Sequence, residues 1–447
     1  MLKPVEEIIE APISWLEKFG VNGGFLLFGL GVLLLGIMWV YTDIPANRVI
    51  GFAVATAPVW LPIVTFMLFF EQWLIYVGTK FYINQGRTTL EIRLPPEVFK
   101  SPEAMEQVLI QLHQTAAPDN HFQTYLDGKR PPVYGLEIVS RGGDIRFYIN
   151  TPRKKFKNIT ESQLYSQYPG IEVKELPIDY TAEIPWDPEK FQYFSIHFGT
   201  KKDDAYPIKT YMDYGLNNLQ VDEEQKIDPI TSFLDALANL GPGEYYWVQM
   251  LIDANRKVSF KEGSLGKKPD WTDAARKEIN AIIDKAKKRV VGEVGNNVLG
   301  QLTDTEKETI KSIERSMGKN AFNTAIRGMY IARTEVYNPG ERIGALITSW
   351  RGYDDLNRNA IGVRWRTDFD WNAWQDPSGH KKQEMKQKEL KLYKLRGYEQ
   401  ENGSDPKKVM TTEELATMFH LPGTVATTPT LSRVPSKRAE APSNLPT

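Results

Sequence analysis

The chain has 447 residues, a net charge of −1 and no cysteine. This charge excludes a bulk electrostatic field that would attract nucleic acid or acidic surfaces. The lack of cysteine excludes disulfides, thiolate metal sites and a cysteine nucleophile. The length exceeds one domain, because a typical domain has roughly 100–200 residues.

Two long uncharged apolar runs lie near the start of the chain, at residues 23–42 and 50–70. Each is as long as the roughly 20 helical residues that cross a bilayer core. They predict a transmembrane helical hairpin over residues 23–77, preceded by an interfacial N-terminus at residues 1–22. Lysine and arginine are scarce in the turn between the runs and more frequent outside them. This bias predicts a two-pass protein of the inner (cytoplasmic) membrane, with both termini and the body in the cytoplasm.

Residues 78–180 alternate between strand and helix patterns in the order strand, helix, strand, strand, helix, strand. The first helix follows Ser101 and Pro102, a cap residue and a residue suited to the first helical position. Gly142 and Gly143 separate two strand patterns, as in a tight hairpin. This order predicts a first ferredoxin-like (βαββαβ) unit.

Residues 181–370 repeat the same order, interrupted by a long charged helical segment at about 271–317. They predict a second ferredoxin-like unit with a helical insertion, and the fold class is therefore α+β with an N-terminal transmembrane hairpin. Each predicted sheet has a face that its own helices leave open. We expect the two units to pack on each other and cover these faces.

The pattern of residues 371–409 predicts a basic helix and linker. Residues 410–447 predict a short amphipathic helix followed by a flexible tail, because the tail is rich in proline, serine and threonine. The basic helix is a candidate contact for the phosphates of DNA or of anionic lipid, with a solvated helix face as the alternative. Its candidate residues are Lys386, Lys388, Lys391, Lys394 and Arg396. On the short helix, Leu415, Met418 and Phe419 form an apolar face suited to docking a partner. Packing of this helix on its own body is the alternative.

The sequence contains no P-loop, zinc-binding helix, nucleophile elbow or dinucleotide fingerprint, and its five histidines have no ligand spacing. We therefore expect no catalytic residue, no cofactor and no metal site. The alternative is a membrane-bound enzyme whose active site has no recognised motif.

Several segments together resemble a known pattern. They are residues 90–113 (LEIRLPPEVFKSPEAMEQVLIQLH), 136–153 (LEIVSRGGDIRFYINTPR), 161–173 (ESQLYSQYPGIEV), 206–216 (YPIKTYMDYGL), 243–252 (GEYYWVQMLI), 412–423 (TEELATMFHLPG) and 441–446 (APSNLP). They resemble a bacterial family, the membrane-anchored region that precedes the motor in conjugation-type, type IV secretion-like DNA-translocating ATPases.

In fused members of that family a P-loop motor follows, whereas this sequence stops where the motor would begin and has no Walker lysine. The resemblance implies a non-catalytic scaffold subunit, held in the membrane, that docks a separate P-loop ATPase and forms a homo-oligomer. A lipid- or envelope-organising protein without a motor is a further alternative.

Overall fold

The computed structural model describes residues 46–94, 100–153, 155–218, 226–256, 270–290, 302–367, 376–398 and 407–423. The strands are β1 (Arg87–Arg93), β2 (Val133–Arg141), β3 (Asp144–Pro152), β4 (Glu172–Glu175), β5 (Phe191–Thr200), β6 (Glu244–Ala254), β7 (Ala321–Arg333), β8 (Ile361–Arg366) and β9 (Lys408–Thr411). The helices are α1 (Ala46–Gln85), α2 (Glu103–Leu112), α3 (His121–Tyr125), α4 (Lys155–Gln167), α5 (Pro229–Ala238), α6 (Trp271–Val290), α7 (Asp304–Met317), α8 (Pro339–Thr348), α9 (His380–Leu395) and α10 (Thr412–Met418). Together they form an α+β structure around one antiparallel nine-stranded sheet.

Helix α1 is continuous through Pro58 and Pro62 and runs well beyond the second apolar run. Its C-terminal part is attached to the body. The indole Nε1 of Trp73 donates to the carbonyl of Tyr125 at 2.6 Å, and Val77 is buried. The second apolar run is therefore the first part of a longer helix that ends against the sheet.

Among the described residues, no helix has both the length and the apolar composition needed to cross a bilayer. The predicted transmembrane hairpin at 23–77 is therefore wrong, as is the two-pass inner-membrane location with cytoplasmic termini. The physical reason is that α1 continues past residue 70 through a stretch that contains Glu71 and Lys80 and is attached to the body at Trp73. The predicted segments 1–22 and 23–42, and the tail from residue 424, lie outside the described residues.

The first unit has the strand order β4-β1-β3-β2, with α2 following β1 and α4 following β3. This is the arrangement of a ferredoxin-like unit. The turn between β2 and β3 needs its glycines, because Gly142 and Gly143 have φ values of 56° and 89°. A Cβ on Gly143 would also lie 2.7 Å from the carbonyl oxygen of Ala238. The hairpin can therefore pack closely on the end of α5.

The second unit has the order β6-β7-β5-β8, the same order read from the other edge. Helix α5 follows β5 and helix α8 follows β7, while α6 and α7 form the insertion between β6 and β7. Strand β9 is an addition that the sequence did not predict, and it pairs with β7 from Ala321 opposite Thr411 to Thr324 opposite Lys408.

The two units join edge to edge. Strand β2 pairs with β6 in antiparallel register, from Val133 opposite Asp253 to Arg141 opposite Tyr245. This corrects the expectation that the units pack face to face. Pairing the two edges satisfies backbone N–H and C=O groups that would otherwise be left open, and it produces one continuous sheet.

Helices α2, α4, α5, α8 and α10 cover one face of this sheet. Helix α10 lies between α2 of the first unit and α5 of the second. Its residues Leu415, Met418 and Phe419 are buried in the main core. A capping box between Thr411 and Glu414 starts the helix. The structure thus shows the helix packed on its own body, and these three side chains are not exposed to a partner.

A polar row crosses the other face of the sheet. Glu137 on β2 lies opposite Gln249 on β6, which lies opposite Arg327 on β7, which lies opposite His197 on β5. Side chains opposite each other on neighbouring strands share a face. Helix α9 covers this row, and Arg396 just after it donates to both carboxylate oxygens of Glu137, at 3.0 and 3.1 Å.

Helix α9 makes further hydrogen bonds to the same row. Glu389 Oε2 lies 2.7 Å from Nε2 of His197, and burial lowers the pKa of this histidine. Arg327 donates to the carbonyl of Leu392 on α9 at 2.8 Å. Within the row itself, Gln249 donates to Glu137 at 2.7 Å. The C-terminal half of α9 is thereby held on the sheet by paired polar groups.

Replacing Arg396 by methionine should lower the free energy of unfolding by about 3–5 kcal/mol, because the carboxylate of Glu137, 0% exposed, would lose its counter-charge. The matched control is Arg141→Met. Arg141 pairs with Glu183 at 2.8 Å, but its side chain is 54% exposed, so the cost should stay below about 1 kcal/mol. Urea unfolding followed by tryptophan fluorescence measures both values. Equal losses in the two variants would contradict the structural role of the buried pair.

A second ion pair ties α10 to α5. Nε2 of His420 lies 2.9 Å from Oδ2 of Asp228, and Asp228 also caps α5 by accepting from the N–H of Ile230 at 3.1 Å. Burial by itself would lower the pKa of His420, but the Asp228 carboxylate outweighs it and raises this pKa above its ordinary value. The protonated histidine therefore stabilises the fold.

The free energy of unfolding should consequently fall as pH rises from about 6.5 through the folded-state pKa of His420. The reason is that the folded chain holds this proton more tightly than the unfolded chain. In His420→Gln that contribution is absent. Urea titrations of both proteins between pH 6 and 9 should give a difference in stability that shrinks with rising pH. Parallel pH curves would refute the role of the pair.

Candidate functional site

A cleft of about 550 Å³ lies between α8 and α9, where strands β5 and β8 end. Its apolar walls include Phe194, Ile343 and Ile347. Three cations line it as well, and no carboxylate does so among the described residues. The cations are Arg366, Lys382 and Lys386.

Helix α8 forms one wall and is held firmly. Its Arg342 donates to both carboxylate oxygens of Glu244, at 3.0 and 2.9 Å, and Glu244 is itself buried at the start of β6. Gly340 and Gly344 lie one turn apart on the side of α8 that lines the cleft. A Cβ built on Gly344 meets no atom within 4 Å, so this position opens into empty space.

The first turns of helix α9 form the opposite wall. The Asp376 carboxylate accepts hydrogen bonds from the backbone N–H groups of Lys381 and Lys382, at 3.2 and 3.1 Å, and so caps the helix. Gly379 enters the helix with a φ of 69°, which glycine adopts without strain. Lys382 and Lys386 stand four residues apart, on the same side of α9.

The end of strand β8 closes the cleft. Thr367 accepts a hydrogen bond from the N–H of Ser195 at 2.9 Å and donates its own N–H to the Ser195 carbonyl at 3.0 Å. These bonds fix Thr367 and the adjacent Arg366 beside Phe194. All three walls therefore belong to regular elements or are bonded to them.

Lys386 is the unusual residue of the cleft. Its side chain is buried, with the residue 9% exposed, yet it makes no hydrogen bond or ion pair within the part of the chain that the structure describes. Burial, and then the positive charge of Lys382, lower the pKa of Lys386 below its ordinary value. A buried cation without a counter-charge is unfavourable unless a ligand completes it.

The five cations predicted on this helix do not form one surface. Lys388 and Lys391 are exposed on the outer side of α9. Lys394 donates to the carbonyl of Ile184 at 2.7 Å, and Arg396 is buried against Glu137. Of the predicted set, Lys386 is the member that lines the cleft.

Sequence reasoning missed Lys382 and Arg366 as members of the same site. The spacing of Lys382 and Lys386 on one predicted helix was a usable signal for the first. Gly340 and Gly344 have the same spacing in another predicted helix. Two residues without side chains on one side of a helix indicate a shallow trough in its surface. No local sequence pattern indicated Arg366, because this residue comes close to α9 only when strand β8 is paired in the sheet.

The chemistry of this site is that of an anion receptor. Lysine and arginine donate hydrogen bonds and accept none, so they suit an anionic ligand and not a metal ion. Within the described ranges, no group of three or more histidine or acidic side chains is placed to hold a metal ion.

Replacing Lys386 by methionine should raise the free energy of unfolding, by about 0.5–2 kcal/mol, because a buried charge that lacks a counter-charge is removed while the apolar stem is kept. Lys388→Met, on the exposed side of the same helix, should change stability by less than about 0.5 kcal/mol. Thermal and urea unfolding at pH 7 measure both. A destabilised Lys386→Met variant would show that the lysine has a structural partner.

Comparison with known proteins assigns the chain to a family. No curated protein matches the chain. The model of a family described as a domain of unknown function, DUF8128, matches residues 82–433. The match extends from the last turn of α1 past α10 and includes both ferredoxin-like units and the cleft. The chain belongs to the DUF8128 family.

Proposed function

We propose that this chain is a non-catalytic scaffold subunit that holds a separate P-loop ATPase in a translocation machine of the conjugation or type IV secretion type. The observation that carries the proposal is the cleft between α8 and α9, with a buried lysine that has no partner among the residues that the structure describes. Such a site is suited to hold an anionic segment of another protein.

The surroundings of the cleft support binding over catalysis. Among the described residues its charged groups are cations, two on α9 and Arg366 on β8. Asp376 caps α9, and the Arg342–Glu244 pair holds α8 at the opposite wall. On the sheet face that α9 covers, charged side chains pair with each other inside the chain, as Arg396 does with Glu137. A rigid platform with a receptive cleft is the form expected of a docking subunit.

The identity of the partner rests on the resemblance of the chain's segments to the region that precedes the motor in DNA-translocating ATPases. In those proteins the equivalent region and the motor share one chain. In the proposed scaffold, the motor is held by contacts between chains. A charged, partly apolar cleft would provide such a contact.

To test this, the full-length chain is tagged and crosslinked to its partners in cells that carry the gene. The chain is then purified, and the proteins recovered with it are identified by mass spectrometry. A protein with a P-loop motif should be recovered with the wild type and with Lys388→Met. Recovery should fall at least about tenfold with Lys386→Met, because a buried counter-charge is lost. Recovery of no P-loop protein would refute the proposed function.

A further inference from the structure

We propose that the cleft binds a carboxylate carried beside an apolar side chain in a peptide segment of the partner protein. The carboxylate would pair with Lys386 and Lys382, and the apolar side chain would lie against Phe194 and Ile343. This inference rests on the proposed scaffold function, for which it names the chemistry of the contact.

The first argument compares Lys386 with the other buried cations. Within the described ranges these are Arg327, Arg358 and Arg396, and each has hydrogen-bond partners inside the chain. Arg327 bonds Gln249 at 3.0 Å, Arg358 pairs with Asp213, and Arg396 with Glu137. Lys386 is also buried, at 9% exposed, but has no such partner in the described part of the chain. Its charge is therefore open to a counter-ion from outside.

The second argument concerns the shape of the cleft. Its volume of about 550 Å³ lies within the range of sites that enclose small ligands or a few side chains. Lys386 is only 9% exposed and lines the cleft together with apolar side chains such as Ile343 and Ile347, so an anion on a slender stem fits beside it better than a bulky one. The carboxylate of an acidic side chain satisfies this condition. A nucleic-acid phosphate, flanked by sugars, suits an open basic surface.

The third argument is that α8 leaves room for an apolar group. The Cβ position of Gly344 is open, and the nearest atom to a Cβ on Gly340 is Oδ1 of Asn338, at 3.8 Å. Gly344 lies inside the helix, where glycine costs about 1 kcal/mol relative to alanine, and Gly340 lies in the first turn. The two glycines form a shallow trough next to the lysines. Apolar side chains of a bound peptide would fill this trough.

The experiment selects the ligand by its chemistry. A random heptapeptide display library is panned on the purified full-length chain and depleted on Gly344→Leu, whose added side chain should fill the cleft. Enriched peptides should carry an aspartate or glutamate next to an aromatic or aliphatic residue. A failure to enrich peptides, or enrichment of peptides without an acidic residue, would overturn the inference.

The affinity of one enriched peptide, labelled with fluorescein, is then measured by anisotropy. It should fall at least tenfold with Lys386→Met, with Gly344→Leu, and with the peptide in which glutamine replaces glutamate. The matched controls are Lys388→Met and Ala345→Leu, at exposed positions of the same two helices, and they should stay within twofold of the wild type. Equal losses in the controls would overturn the inference.

A labelled single-stranded DNA of twenty nucleotides is the competing ligand. It should bind more weakly than the peptide and without dependence on Lys386. Tighter binding that is lost in Lys386→Met would assign the cleft to nucleic acid and overturn the inference. If peptides bind as expected but no ATPase is recovered from cells, the proposed function fails and the inference stands. If the ATPase is recovered equally with Lys386→Met, the inference fails and the scaffold function stands.

Discussion

Strands β2 and β6 pair along their whole length, from Val133 opposite Asp253 to Arg141 opposite Tyr245, and the other layers are arranged around this seam. Each strand would otherwise be the edge of its own four-stranded sheet. Their pairing turns two ferredoxin-like units into one platform with two extended faces. Each face must then be covered, and the chain covers them by different means.

One face is covered by apolar packing, and the other by paired charges together with a smaller apolar cluster that includes Leu390 and Tyr393 of α9. On the face that carries α2, α4, α5 and α8, helix α10 fills the space between the helices of the two units. Its contacts link residues that are far apart in the chain. On the other side, α9 lies over the polar row and depends on contacts such as Glu137 with Arg396. Buried ion pairs contribute little net stability, but they are costly to break and so favour one placement of the helix. That placement leaves the first turns of α9 beside α8, and the cleft is formed between them.

Much of the architecture followed from local patterns. The alternating strands, the cap at Ser101 and the glycine pair at Gly142 and Gly143 indicated the βαββαβ order, which depends on neighbouring residues only. The transmembrane hairpin was wrong because an apolar run shows hydrophobicity without showing where its helix ends or what it packs on. The apolar face of α10 was also ambiguous, since core and docking helices share one pattern. The cations of α9 looked alike in sequence, although Lys386, Lys391 and Arg396 have different environments in the structure.

The sequence by itself determined the order of the elements in each unit, the position of the insertion and the charge of α9. These features are set by spacing and residue type within short stretches of chain. Only the tertiary structure decided that the units join through β2 and β6, that Leu415 belongs to the core and that Lys386 is buried with no partner in the described ranges. The reason is that burial and pairing depend on residues distant in the chain. Arg366 and Gly344, for instance, meet Lys386 only after the sheet has formed.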